Sequence, residues 1–235
     1  MSDTEEEDES IRKFVKITLV GEPASGKSCL CSRYRGDGGV VGAAAGGTQG
    51  AEVSAAQWGG AALRLCDVAG AALHSDMLRN YLYDSDIVIF VYDLTNLQSF
   101  EKLTDWIKAV KDIFDVEAKK PLMALFGNKS DLEHQRAVRL SCVQKFASEH
   151  LLENFKGSAR TGEMVNTAFT NLIARVLGKK APLEGAAYKK NQDNLVSDQI
   201  STPPLMQDSE NSLIMSRKVL RKVQRKASSS VCRIQ

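Results

Sequence analysis

Two short motifs in this chain combine the residue types and the spacing that nucleotide recognition requires. Residues 21–28 read G-E-P-A-S-G-K-S, which matches the phosphate-loop pattern G-x-x-x-x-G-K-[ST]. Backbone N–H groups of such a loop can point inward around a phosphate, and the start of the following helix adds a favourable dipole. The amine of Lys27 can reach β- and γ-phosphates, and the Ser28 hydroxyl can ligate Mg²⁺. The nucleotide-binding residues predicted in and just after this loop are Gly21, Ala24, Ser25, Gly26, Lys27, Ser28 and Cys29.

The second motif, N-K-S-D at residues 128–131, has the side chains that recognise guanine. The carboxylate of Asp131 can accept two hydrogen bonds from the N1 and N2 edge of guanine. Adenine lacks the N2 donor and presents an acceptor at N1, so it would leave this carboxylate unpaired. We expect Asn128 to tie neighbouring loops together and the stem of Lys129 to lie along the base. An ATP-binding protein is therefore the less favoured alternative.

Two weaker motifs follow predicted strands. Residues 67–70 read D-V-A-G, in which Asp67 can hold Mg²⁺ through water and the Gly70 N–H can contact a γ-phosphate. The tripeptide S-A-R at residues 158–160 follows the last predicted strand, where the Ala159 N–H can donate to guanine O6. The nucleotide-binding residues predicted from this tripeptide are Ser158, Ala159 and Arg160.

Alternating strands and helices are needed to bring these motifs together. Strands are predicted at 14–20, 51–58, 62–67, 86–92, 121–127 and 154–157, and helices at 27–35, 97–114, 138–149 and 162–177. This alternation indicates an α/β fold with a doubly wound, mostly parallel six-stranded sheet flanked by helices. Ligands of such sheets bind at the carboxyl ends of the strands, where all of these motifs fall. Residues 36–50 are rich in Gly and Ala and are predicted to form a loop.

The composition fits one domain with charged ends. The chain has 235 residues, of which 43% are hydrophobic, so one domain with a sizeable core is expected. The acidic start argues against a targeting peptide, and no apolar run approaches the ~18 residues of a membrane span. Five cysteines without a C-x-x-C pair favour a reducing, cytoplasmic setting. We expect an acidic disordered tail at 1–11, a folded domain at 12–178 and a disordered tail at 179–235.

Together these motifs resemble those of small GTPases of the Ras superfamily, Rab family. Residues 12–178 match that family end to end, and the run V-Y-D-L-T-N at 91–96 is similar to a Rab-type signature. The resemblance to the divergent Rab subgroup numbered twenty-eight is closer still. The shared features are the acidic start, the A-S-G-K of the phosphate loop, M-L-x-x-Y-x-Y at 77–83, N-K-x-D-L-E-H at 128–134 and a single cysteine near the end.

The resemblance implies a P-loop GTPase fold that binds GTP or GDP with Mg²⁺ as the cofactor. Thr48, in the word T-Q-G, is similar to the switch I threonine that ligates Mg²⁺ and contacts the γ-phosphate. The implied partners are effectors, exchange factors, GTPase-activating proteins and an anionic membrane surface, without nucleic acid, for a monomeric protein. The implied catalytic residues are Lys27, Thr48 and Gly70, and the implied metal ligands are Ser28, Thr48 and Asp67.

Departures from the family lie in the segments that control turnover. Ala71 follows the D-x-x-G word, where the family has a Gln that orients the attacking water. Gly39 stands where the family has a Phe against the base, within a segment at 36–47 that is rich in Gly and Ala. We therefore expect slow GTP hydrolysis. The alternative is a guanine-nucleotide-binding scaffold with negligible turnover.

The last residues of the chain predict attachment to a membrane. Cys232 begins the sequence C-R-I-Q, which fits the prenylation pattern C-a-a-X loosely, and a terminal Gln favours farnesyl. A single lipid chain binds reversibly, so the basic segment 217–226 is expected to add attraction to an anionic leaflet. A solvated basic tail is the alternative. We expect a protein on the cytosolic face of an intracellular or plasma membrane, with a role in vesicle or ciliary trafficking that only the resemblance implies.

Overall fold

The computed structural model describes residues 14–37 and 47–179. The strands are β1 (Phe14–Val20), β2 (Ala51–Trp58), β3 (Ala61–Val68), β4 (Ile87–Asp93), β5 (Leu122–Asn128) and β6 (Glu153–Lys156). The α-helices are α1 (Lys27–Arg35), α2 (Leu78–Leu82), α3 (Leu97–Glu101), α4 (Leu103–Asp115), α5 (Leu140–His150) and α6 (Val165–Val176). Short 3₁₀ helices span Gly70–His74 and Ser130–Gln135. The predictions for the tail at 1–11, Gly39, the basic segment 217–226 and Cys232 fall outside the described residues.

These strands form a six-stranded sheet in the order β2-β3-β1-β4-β5-β6. Every neighbouring pair is parallel except β2 and β3, which form an antiparallel hairpin. The hairpin turns at Gly59 and Gly60, whose φ angles of 51° and 86° suit glycine. The predicted α/β fold with a mostly parallel six-stranded sheet is thus confirmed.

The central strand β4 shows why apolar runs identified the strands. All seven of its residues are buried, as expected for a parallel strand that is covered on both faces. Successive side chains point to opposite faces. Phe90 belongs to a hydrophobic cluster that includes Trp106 of α4, whereas Val91 belongs to a second cluster that includes Phe169 of α6. Helices therefore cover both faces, and the strand ends are left to carry polar residues.

The helices differ from the predictions at their boundaries. The helix predicted at 97–114 is divided into α3 and α4 at Lys102, which keeps near-helical backbone angles of φ −66° and ψ −13°. The helix predicted at 162–177 begins later, at Val165, because Gly162 and Met164 have φ angles of 85° and 58°. No helix in the part of the chain described by the structure is long and apolar enough to span a membrane.

Candidate nucleotide and metal site

The phosphate loop lies between the end of β1 and the start of α1. Gly21 has a φ of 139°, and a Cβ atom there would lie 2.1 Å from the carbonyl oxygen of Val91. Gly26 has a φ of 94°, and a Cβ atom there would lie 2.1 Å from Nδ2 of Asn128. Glycine is therefore required at both ends of the loop, which packs directly against β4 and β5. Ala24, between them, also has a positive φ, of 59°.

Lys27 lies at the first position of α1 and is buried. Its Nζ donates hydrogen bonds to the carbonyl oxygens of Gly21 and Glu22, at 2.8 and 2.9 Å. Burial lowers the pKa of Lys27 to about 8, against the opposing effect of Asp67. Phosphate oxygens in the loop would stabilise the ammonium form, so this buried amine favours an anionic ligand. Cys29, also predicted to be a nucleotide-binding residue, lies half-buried in the same helical turn, and burial raises the pKa of its thiol.

The predicted metal ligands meet at one point beside this loop. The Ser28 hydroxyl donates to Oδ2 of Asp67 at 2.5 Å, and the Thr48 hydroxyl donates to the same oxygen at 3.1 Å. The two hydroxyl oxygens lie 3.0 Å apart. Side chains from three separate segments of the chain therefore meet at the carboxylate of Asp67.

This cluster fits a small divalent cation. All of its donors are oxygens, which Mg²⁺ prefers, and Oδ1 of Asp67 is buried with no hydrogen-bond partner among the described residues. A cation would satisfy that oxygen. With this few protein ligands, phosphate oxygens and water would have to complete an octahedral shell. The described residues contain no alternative cluster of three or more His, Cys, Asp or Glu side chains that could hold a metal.

Asn128 joins the phosphate loop to the S-A-R tripeptide. Its Nδ2 donates to the carbonyl oxygen of Ser25 at 2.9 Å, and its Oδ1 accepts from the backbone N–H of Ala159 at 3.0 Å. The Ser25 side chain is fully buried as well. The predicted tying of neighbouring loops by Asn128 is therefore observed, and the Ala159 N–H lies close to the N-K-S-D word.

Asp131, the last residue of the N-K-S-D motif, contacts the S-A-R tripeptide through its carboxylate. Its Oδ1 accepts a hydrogen bond of 2.5 Å from the buried hydroxyl of Ser158. The side chain of Arg160 approaches the other carboxylate oxygen at 3.8 Å and is mostly exposed. Each carboxylate oxygen can accept more than one hydrogen bond, so Asp131 keeps capacity for the N1 and N2 donors of guanine.

The D-V-A-G word leaves β3 directly beside the phosphate loop. A Cβ atom on Gly70 would lie 2.2 Å from the backbone nitrogen of Pro23, so the two segments touch. The backbone N–H of Ala69 donates to the carbonyl oxygen of Gly50 at 2.8 Å, which joins this word to the segment that carries Thr48. Ala71 is exposed, and its methyl group offers no hydrogen-bonding atom.

Similarity to known proteins identifies the family of this chain. The model of the Ras family matches residues 16–178. The chain belongs to the Ras family. It is 30% identical over 176 residues to Ras-related protein Rab-28 of Caenorhabditis elegans, which corresponds to 73% of this chain and 70% of that relative. It is also 30% identical to the GTP-binding protein ypt4 of Schizosaccharomyces pombe (72% and 74% covered) and to human Ras-related protein Rab-26 (72% and 67% covered). The resemblance to Rab GTPases is thus confirmed.

Within this Ras-family site, sequence reasoning missed the contact between Asp93 and Lys129. Lys129 has a positive φ of 66°, and its Nζ lies 2.7 Å from Oδ2 of Asp93. The other oxygen, Oδ1, accepts hydrogen bonds from the N–H and the hydroxyl of Thr95, at 2.8 and 2.7 Å. Although burial opposes it, the hydrogen bond from Lys129 holds the pKa of Asp93 below its usual value. The V-Y-D-L-T-N run marked this position as a family signature but gave no sign of its partner.

Replacement of Asp93 by Asn is expected to speed GDP dissociation by about fivefold, because the amide loses the charge that fixes Lys129. The amide oxygen can still accept from Thr95, so the turn should persist. A stopped-flow chase of fluorescent GDP measures the rate. Asp105→Asn, which removes a charge from an exposed ion pair on α4, is the matched control. Equal rates for Asp93→Asn and the unaltered protein would show that the ion pair does not support the ligand.

Proposed function

We propose that this protein is a Rab-like switch that binds GTP and GDP with Mg²⁺, hydrolyses GTP slowly and is tethered to a membrane. One observation carries the proposal: the loop that holds the buried amine of Lys27 is joined to the oxygen cluster through Ser28 and to the base-recognition loop through Asn128. Phosphate, metal and guanine would thus be held by one continuous surface at the carboxyl edge of the sheet.

The nucleotide-binding residues would act as three groups. The phosphate loop and Lys27 would hold the phosphates through N–H groups and a positive charge. Ser28, Thr48 and Asp67 would hold Mg²⁺, which would neutralise charge on the phosphate oxygens when bound. The base would be held by Asn128, Lys129, Asp131, Ser158, Ala159 and Arg160.

Catalysis would depend mainly on electrostatic stabilisation. Lys27 would neutralise developing charge, Thr48 would fix the metal and the γ-phosphate, and Gly70 would present its N–H beside the phosphate loop. Ala71 cannot orient the attacking water. We therefore propose slow intrinsic turnover, which a partner protein would raise by supplying a polar or cationic side chain.

Ala71 also supports a second candidate function, a scaffold that binds guanine nucleotide without measurable turnover. An exposed methyl group at this position fits both proposals, because it leaves binding intact and weakens only the chemical step. The two proposals differ in one measurable quantity, the single-turnover rate.

The membrane tether is proposed from sequence alone. The basic segment 217–226 and a prenyl group on Cys232 would together hold the protein on an anionic cytosolic leaflet. Effectors, exchange factors and GTPase-activating proteins are proposed partners, and a monomer is the proposed form, because the relatives carry Rab names. A role in vesicle or ciliary trafficking is proposed on the same ground.

The decisive experiment starts with the nucleotide that copurifies with the protein. Denaturation and chromatography should release GDP or GTP in about equal molar amount to the protein. After reloading with GTP, a single-turnover assay with and without Mg²⁺ measures hydrolysis. A slow, Mg²⁺-dependent rate above that of GTP alone is expected. Tighter binding of ATP than of GTP would contradict the base assignment. A single-turnover hydrolysis rate equal to that of free GTP would support the scaffold function instead.

A further inference from the structure

We propose that Arg33 is a positioning residue for guanine recognition, which acts by fixing the backbone of the S-A-R tripeptide from the far end of α1. The inference rests on the proposed binding of guanine nucleotide and adds to it a residue that lies outside every nucleotide motif in the sequence. Arg33 would not touch the ligand. It would fix the position of the backbone N–H of Ala159, which is expected to contact the base.

The evidence is a two-point contact between one guanidinium group and two successive carbonyl groups. Nε of Arg33 donates to the carbonyl oxygen of Ala159 at 2.7 Å, and Nη2 donates to the carbonyl oxygen of Arg160. The Cδ atom of Arg33 also lies 3.6 Å from the position that a Cβ atom of Gly162 would take. A planar fork of N–H groups can hold two acceptors in a fixed relative orientation, which a single ammonium group cannot do.

This contact completes the restraint on Ala159. The peptide on its amino side is held by Asn128, whose Oδ1 accepts the Ala159 N–H at 3.0 Å. The carbonyl on its other side is held by Arg33. The Ala159 N–H donates to Asn128 in the structure, and with guanine bound its one hydrogen would be shared between Asn128 and O6 as a bifurcated bond. Its direction would therefore depend on both restraints. Hydrogen bonds weaken steeply as they lose alignment, and a loosened loop would therefore discriminate poorly at O6.

The two segments that Arg33 connects differ in regularity. The loop that continues from the tripeptide contains Gly162 and Met164, which both have positive φ angles, so its backbone departs from regular structure. In contrast, the end of α1 is fixed, because Tyr34 is buried and stacks on Phe169 of α6 with ring centroids 4.4 Å apart. Arg33 thus joins a restrained helix to an irregular loop.

The same helix also carries phosphate-binding residues. Lys27 and Ser28 occupy its first turn, and Arg33 lies in its last turn. A helix of this length is a stiff connection, so Arg33 fixes the distance between the phosphate contacts and the O6 contact. The spacing between the phosphate subsite and the base subsite would therefore be set by α1 as well as by the sheet.

The test compares three diphosphates that differ at the base. GDP carries O6, 6-thio-GDP carries sulfur in place of O6, and IDP lacks the N2 amino group that Asp131 is expected to bind. We would measure their dissociation constants and dissociation rates for Arg33→Lys and Arg33→Gln, with Arg35→Lys as the matched control. Arg35 lies on the same helix turn and pairs with Asp37 rather than with the tripeptide.

In the Arg33 variants, the preference for GDP over 6-thio-GDP should fall about two- to tenfold, because the contribution of one aligned hydrogen bond is lost. The preference for GDP over IDP should stay within about twofold, since Asp131 still reads N2. Arg33→Lys should behave like Arg33→Gln, because charge without the fork does not hold both carbonyls. Arg35→Lys should match the unaltered protein in both preferences.

Two results would overturn the inference while leaving nucleotide binding in place. Arg33 variants that weaken all three ligands by the same factor, together with a lower melting temperature, would assign Arg33 a structural role only. Arg33 variants with unchanged preferences would show that the tripeptide is fixed without it. Failure of the unaltered protein to bind GDP would instead overturn the proposed function.

Discussion

Replacement of Asp131 by Asn is expected to exchange xanthine for guanine as the preferred base. The affinity for GDP should fall on the order of 10³-fold, and the affinity for XDP should rise above it. The reason lies in the donor and acceptor pattern. A carboxylate accepts from both N1 and N2 of guanine, whereas an amide must direct its own NH₂ group at one of these donors. Xanthine carries an oxygen at C2, which can accept from that NH₂ group.

The structure makes this substitution a clean test. Asn has nearly the same size as Asp, and the Ser158 hydroxyl, which now donates to Oδ1, can equally donate to an amide oxygen. The partners of Lys27 and the cluster of Ser28 and Asp67 lie apart from the change. Phosphate and metal contacts should therefore remain, and XDP binding provides the internal control for folding.

Calorimetry or a fluorescent-nucleotide competition can measure both affinities in the same preparation. An Asp131→Asn protein that binds neither GDP nor XDP, while retaining its melting temperature, would show that the Asp131 carboxylate has a role other than choosing between the two bases. An Asp131→Asn protein that still prefers GDP would remove the base assignment itself. The expected exchange of preference would place guanine against Asp131 directly.

Sequence alone predicted the parts of this site that are local in the chain. The phosphate loop is recognisable because its glycines are required at fixed spacing, and Gly21 and Gly26 indeed lie where a Cβ atom would collide. Ser28 and Asp67 were predicted from local motifs next to a helix start and a strand end, whereas Thr48 was implied only by the resemblance to the family. The structure brings these three side chains together.

The missed contacts are long-range and have no local signature. Arg33 and Ala159 are separated by 126 positions, and nothing in the sequence of α1 distinguishes Arg33 from its neighbour Arg35. The pairing of Asp93 with Lys129 depends on the parallel register that places the end of β4 beside the end of β5. Such contacts follow from tertiary structure, which a single sequence specifies only through packing.

The second large effect concerns turnover. Replacement of Ala71 by Gln is expected to raise single-turnover GTP hydrolysis about 10–100-fold, because a side-chain amide can orient a water that a methyl group cannot. Ala71 is exposed and directly follows Gly70, which touches Pro23 of the phosphate loop. A longer side chain can therefore be accommodated beside the phosphate loop without displacing buried groups.

Ala62→Gln provides the matched control, since it makes the same substitution at an exposed alanine of β3 away from the phosphate loop. Both variants should keep the GDP affinity of the unaltered protein, and the gain in Ala71→Gln should require Mg²⁺. If hydrolysis rises only in Ala71→Gln, then Lys27, Thr48 and Gly70 already form a competent catalytic arrangement that lacks one water-orienting group. If hydrolysis stays at the rate of free GTP despite tight binding, the site is built for binding, and the scaffold function is correct.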